Sequence, residues 1–261
     1  MNYITSTTNQ KIIHAKKLGR DKKYRSEKGE FLVEGIRWVN ETIKWARDKI
    51  ESIFILEESV VDVEFTDNCK CEISDKIYFL SQSLLKKIAT TETPQPAVAI
   101  VKMKQKEFEF KNRILFLDEI SDPGNVGTII RTGVASGFSN IILKNCVDIY
   151  NPKVVRSTMG TLLHANILEI DNANILTELK SNGYSIVAAD IKGENVFESK
   201  NLFQKAALVI GSEAHGLSSE VKNIATHLIK IPMDKKVESL NASVSAGIMM
   251  YQLGDKVNGG T

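Results

Sequence analysis

The sequence predicts an α/β protein in two parts, a small α/β domain over residues 1–103 and a larger domain over 113–261 built on a parallel sheet. Two observations carry this. In the second part, near-continuous apolar strands alternate with helical stretches, the pattern of a sheet covered on both faces. Between the parts, residues 104–112 are rich in charge and read as a linker.

The elements follow in order. The chain opens with a polar, basic helical pattern. Residues 31–35 read as a short strand and residues 36–47 as a helix, with Ile36, Val39, Ile43 and either Trp45 or Ala46 as core candidates. Residues 52–56 form a buried-type strand. A helix near residues 81–89 presents Leu84, Leu85 and Ile88, and Pro94 and Pro96 break the chain before a strand at 97–101. Six apolar strands follow, at 114–117, 140–143, 167–170, 184–189, 207–210 and 228–231.

Composition narrows the function classes. Hydrophobic residues make up 43% and charged residues 25%, an ordinary globular balance. No apolar run reaches the roughly 20 residues of a membrane helix. The polar start, residues 1–10, lacks a secretory core, so a cytoplasmic protein is expected. Cys69, Cys71 and Cys146 read as reduced thiols, and the four scattered histidines show no metal-ligand spacing, so no metal is expected. The net charge is only +2, yet residues 11–28 hold eight basic side chains against Asp21 and Glu27. Such a cluster fits phosphate contact or a solvated helix face equally well. Neither a GxxxxGK[ST] loop nor a GxGxxG turn occurs, which argues against ATP hydrolysis and against an oxidoreductase on an ordinary doubly wound sheet.

Ligands of open parallel sheets bind at the carboxyl ends of the strands. Three junctions there are unusual. The first runs from Asp118 through Pro123, Gly124 and Asn125 to Arg131, with Asn125 as the expected helix cap. In the second, Ile210 leads into Gly211, Ser212, Glu213, Ala214, His215 and Gly216, a turn whose glycines permit close backbone approach. The third joins Ile231, Pro232 and Met233 to Ser239, Leu240 and Asn241 at the start of the last helix. Each alone also reads as ordinary capping and turn geometry.

Together and in this order, the three junctions resemble the SpoU (TrmH-type) RNA ribose 2′-O-methyltransferases of the SPOUT superfamily. The matching segments are residues 125–132, 209–217, and 231–233 with 239–245. The first part resembles that family's substrate-binding domain, an L30e-like RNA-binding fold, through Ile4, Thr5, Ser6, Asn9, the basic run and residues 29–35. The resemblance covers nearly the whole chain. Thr128 and Gly133 stand where the family often has alanine.

The resemblance implies a SPOUT α/β-knot catalytic domain with a C-terminal trefoil knot, and a homodimer whose active site lies near the interface. It implies S-adenosyl-L-methionine (AdoMet) as methyl donor, contacted by Gly211, Ile231 and Leu240 with Ser212 and Met233. Arg131, Asn125, Glu213, Ser239 and Asn241 become the catalytic set. Lys16, Lys17, Lys22, Lys23 and Arg25 become RNA contacts. The family reading makes the arginine a general base, but a guanidinium, with a pKa above about 12, is better suited to gripping a phosphate. The expected substrate is 23S ribosomal RNA; transfer RNA, or a non-catalytic role in ribosome assembly, are the alternatives.

Overall fold

The computed structural model describes residues 2–63, 73–103, 107–198 and 204–254, the side chains of 60–62 excepted. Cys69 and Cys71, and Lys104 and Lys106 of the expected linker, lie outside the described residues. The chain divides into two compact units, Met1–Gln105 with Asp148–Leu163, and Lys106–Val147 with His164–Thr261. No described helix is long and apolar enough to cross a membrane.

The first unit holds a five-stranded sheet in the order β1-β4-β3-β5-β2, from β1 (Asn2–Ile4), β2 (Glu30–Glu34), β3 (Ile50–Leu56), β4 (Ile77–Leu80) and β5 (Ala97–Lys102). β1, β4 and β3 pair in parallel, while β5 runs antiparallel to β3 and β2. β1 and β4 escape the sequence pattern because they are three and four residues long, too short to show a period.

The basic opening forms two helices, α1 (Gln10–Arg20) and α2 (Lys22–Lys28). Asp21 divides them: its extended backbone ends α1, and its carboxylate caps α2 by accepting from the Tyr24 amide. α1 buries Ile12, Ala15 and Leu18 in a core shared with Leu84, Leu85 and Ile88 of α4 (Gln82–Ile88) and with Phe54, Val98 and Ile100 of the sheet. In α3 (Ile36–Trp45) the helical period turns Trp38, Val39 and Ile43 inward. Trp38, not Trp45, is therefore the core tryptophan; Trp45 is 57% exposed.

The second unit holds β6 (Arg113–Asp118), α5 (Pro123–Ala135), β7 (Asn140–Lys144), β8 (Asn166–Ile170), α7 (Asn174–Ser181), β9 (Ser185–Asn195), β10 (Ala206–Gly211), α8 (Ser219–Ile224), β11 (His227–Lys230) and α9 (Ala242–Leu253). Its sheet has the order β11-β9-β10-β6-β7-β8, with every pair parallel. β9 runs well past its expected end at residue 189, pairing again with β11 after a register shift. Gly193 makes that crossing possible, since a Cβ there would lie 2.4 Å from the Ile229 nitrogen. Residues 107–112, expected in the linker, are anchored: Phe108 packs on the core, and Tyr184 Oη donates to the Lys111 carbonyl at 3.0 Å.

The β7–β8 crossover, with α6 (Pro152–Thr158), belongs to the first unit. Trp38 Nε1 donates to the Val155 carbonyl at 2.8 Å, and the Phe31 and Tyr150 rings lie 4.8 Å apart. Arg25 is only 4% exposed; it donates to the Leu18 carbonyl at 2.7 Å and pairs with Asp148 at 2.5 Å. This corrects its expected place among the RNA contacts. A guanidinium buried and committed to a carboxylate is not free to meet a phosphate.

Candidate active site

The site is built from the loops that leave β6, β10 and β11. After β6, Pro123 takes the first position of α5, where its missing N–H costs nothing. That makes Asp122 the cap, accepting from the Asn125 amide at 2.8 Å. Asn125, expected as the cap, sits in the first turn instead, which leaves its side chain for another task. Its Nδ2 donates to the Glu213 carboxylate, and its Oδ1 accepts from Asn241 Nδ2 at 3.0 Å.

Asn241 caps α9 as its position implies. Its Oδ1 accepts from the Ser243 amide at 2.9 Å, the Val244 amide at 3.3 Å and Ser243 Oγ at 2.6 Å. One chain of hydrogen bonds thus joins three strand-end loops through Glu213, Asn125 and Asn241.

The loop after β10 is a tight backbone turn. Ser212 and Gly216 exchange N–H···O bonds of 3.0 and 2.9 Å. Gly216 has φ +66°, a left-handed value that favours glycine. A Cβ on Gly211 would lie 2.4 Å from the Gly216 carbonyl oxygen, so the wall here is bare backbone.

Between β9, β11 and α9 lies a cavity of about 110 Å³, lined by Ile231, Met233, Ser239 and Leu240 together with Asp190, Ser245 and Met249 among others. Four residues expected around the cofactor or in the chemistry therefore share one hollow. Gly211 and Ser212 do not line it.

A buried cation holds the strand ends. The Lys144 ammonium, at the end of β7, meets Asp118 at 2.9 Å, Glu119 at 2.8 Å and Ser218 Oγ at 3.3 Å. Asp118, fully buried, accepts in turn from the Ser218 amide at 2.7 Å. Burial works against the lysine charge, but hydrogen bonds and attraction from Glu119 and Asp118 outweigh it and hold its pKa above the ordinary value. The neighbouring Cys146 thiol is pushed up to about 12 by burial, which makes it inert as a nucleophile at neutral pH.

Arg131 lies six residues beyond Asn125, about 9 Å along α5 at 1.5 Å per residue. It is exposed and forms no hydrogen bond or ion pair among the described residues. Lys16, Lys17, Lys22 and Lys23 are exposed in the first unit, and Lys23 lies 3.9 Å from Glu27. Sequence reading missed Asp118, Lys144 and Ser218, whose connection exists only once the sheet forms. It also missed Asp190, because β9 was expected to end one residue earlier.

Residues 112–251 match the SpoU rRNA Methylase family, and residues 9–99 match the MRM3-like substrate binding domain. The chain is 28% identical, over 97% of its length and 99% of the relative's, to the 23S rRNA (guanosine(2553)-2′-O)-methyltransferase RlmP of Bacillus subtilis. An rRNA methyltransferase from Sinorhizobium meliloti superposes with a TM-score of 0.82 at 26% identity, covering 96% of both chains. Its AdoMet-bound form superposes at 0.80 and 25% identity, again over 96% of both. With more than half its length matched to that family, the chain belongs to the SpoU rRNA methylase family.

Proposed function

We propose that this protein transfers a methyl group from AdoMet to the ribose 2′-hydroxyl of a nucleotide in 23S ribosomal RNA, in the cytoplasm. One observation carries the reading: the Glu213–Asn125–Asn241 chain stands beside a cavity lined by Ile231, Met233, Ser239 and Leu240. The name and full-length coverage of the Bacillus relative support the choice of 23S RNA.

The hollow of about 110 Å³ is smaller than the roughly 300–1,000 Å³ of whole-ligand sites, so it takes one end of AdoMet. Ile231, Met233, Leu240 and Met249 offer apolar surface to an adenine. The Gly211–Gly216 turn offers backbone groups where no side chain fits. Bound there, AdoMet supplies an electrophilic methyl on a sulfonium centre. The chain's own residues do the rest. Asn125 and Asn241 hold the Glu213 loop in register, and Ser239 lines the cavity beside them. Arg131 grips a phosphate of the target nucleotide with its planar fork, which aligns the 2′-oxygen; as that oxygen takes the methyl it gives its proton to solvent, and S-adenosylhomocysteine is the product left behind.

The first domain, residues 1–103, supplies RNA affinity and the second, 113–261, the chemistry. The working form is a homodimer. Val244 and Tyr251, seven residues apart on α9, are 51% and 64% exposed, an apolar stripe that suits a helix interface.

The decisive experiment incubates purified protein with AdoMet and either protein-free 23S RNA or transfer RNA, then maps 2′-O-methyl positions. One new site in 23S RNA is expected. Methylation of transfer RNA alone would replace the substrate, and no transfer to either would end the reading.

A further inference from the structure

We infer that RNA backbone docks in a groove between α1 and α4 of the first unit, held by Lys16, Lys17, Arg20 and Lys87. This deepens the RNA reading above and rests on it. The groove encloses about 590 Å³, within the roughly 300–1,000 Å³ typical of ligand sites. One wall follows from helix geometry: Ile13, Lys16, Lys17 and Arg20 stand at i, i+3, i+4 and i+7, on one face of α1. Lys87 enters from the last turn of α4. No reading of the basic run could connect Lys87 to it, because the fold alone brings the two helices together.

Charge in the groove is unbalanced. Four cations face one carboxylate, Asp21, which already accepts from the Tyr24 amide at 3.1 Å. Lys16, Arg20 and Lys87 form no ion pair or hydrogen bond among the described residues, and Lys17 lies over the Tyr24 ring at 5.3 Å. Two other lysines of this unit have carboxylate partners: Lys102 meets Glu51 at 2.6 Å and Lys23 lies 3.9 Å from Glu27. Unpaired cations around a hollow repel one another, and a polyanion relieves that repulsion while releasing its counterions. The floor is apolar, with Ile12 and Ile13. That combination suits a looped or single-stranded segment, phosphates on the cations and a ribose or unstacked base against the isoleucines. Lys22 and Lys23, expected as contacts, do not line the groove.

The test compares R20Q/K87Q with K22Q/K23Q in the full chain, titrated with protein-free 23S RNA across a salt series. R20Q/K87Q is expected to weaken binding on the order of tenfold at about 0.1 M salt and to flatten the salt slope by about 1.4, near 0.7 for each lost phosphate contact. K22Q/K23Q should do less than half of either, and AdoMet affinity and circular dichroism should match wild type in both. A wild-type slope in R20Q/K87Q, or an equal loss in K22Q/K23Q, overturns the groove. So does polyglutamate binding the wild type as tightly as RNA and losing that binding in R20Q/K87Q, which would make the occupant a protein. Wild type methylating 23S RNA while R20Q/K87Q binds it unchanged sinks the groove alone; wild type neither binding nor methylating RNA sinks the proposed function.

Discussion

The two sheets of this molecule solve different problems. In the six-stranded sheet every strand runs parallel, so all carboxyl ends lie along one edge. Polar loops from β6, β10 and β11 must meet there, and they do, through Asn125, Glu213 and Asn241. In the five-stranded sheet β5 runs against its neighbours, so strand ends point both ways and no edge collects them. The cations proposed to meet RNA sit on helix faces instead. A parallel sheet concentrates geometry; a mixed one spreads surface.

The largest expected effect tests what holds the parallel edge together. Lys144→Met strands the fully buried Asp118 without its cation and should cost about 3–5 kcal/mol in denaturant unfolding. The folded pKa of Lys144 lies above its unfolded value. Its contribution is therefore fully present below the unfolded value, near 10.4, and fades only as pH rises through the folded one. A loss under about 1 kcal/mol would mean that packing, not charge, holds the strand ends.

Next comes Arg131→Ala. It should slow single-turnover methyl transfer about 10²- to 10³-fold with AdoMet affinity unchanged. Arg131→Lys should fail comparably if the planar fork matters. Near-normal turnover in Arg131→Ala would detach Arg131 from the edge and leave the chemistry to the three-loop cluster, whereas near-normal turnover in Arg131→Lys alone would show that charge suffices.

Gly211→Ala places a Cβ 2.4 Å from the Gly216 carbonyl, so the turn must shift. Overpacking of this kind costs about 1–3 kcal/mol, and calorimetry should show weakened AdoMet binding. Unchanged affinity would mean that the cofactor does not use this turn.

The smallest effect probes the mixed sheet. Glu34, 5% exposed at the end of β2, accepts from the Thr90 amide at 2.9 Å, from Thr90 Oγ1 at 2.7 Å and from the Thr91 hydroxyl. Burial raises its pKa, but the hydrogen bonds from Thr91 and Thr90 win and hold it below the usual value. A lowered carboxylate stabilises above its unfolded pKa, and that stability is lost as pH falls through the folded value. Glu34→Gln should cost about 1–3 kcal/mol at neutral pH. The gap to wild type should close below pH ~4, read from urea midpoints across pH. A constant gap would assign the loss to shape rather than charge.

Much of this was legible in the sequence, for reasons that differ by element. The long apolar strands and the α3 period were strong signals, and strand-end loops told where to look for Glu213, Asn241 and Ser239. Arg25 was misread because its charge looks like that of its neighbours; only the Asp148 partner, distant in sequence, removes it from the surface. Asn125 was misplaced by three residues because Asp122 caps equally well and Pro123 decides between them. Lys144 and Lys87 carried no local signal, since each acquires its role from chain folded against it.

Asn125 has a final consequence. Its amide is a donor on one side and an acceptor on the other, and both are spent, toward Glu213 and Asn241. Exchanging that nitrogen for oxygen, as in Asn125→Asp, would remove the donor and set two carboxylates face to face. A change of one atom type would turn the clasp between two strand-end loops into a wedge of like charge.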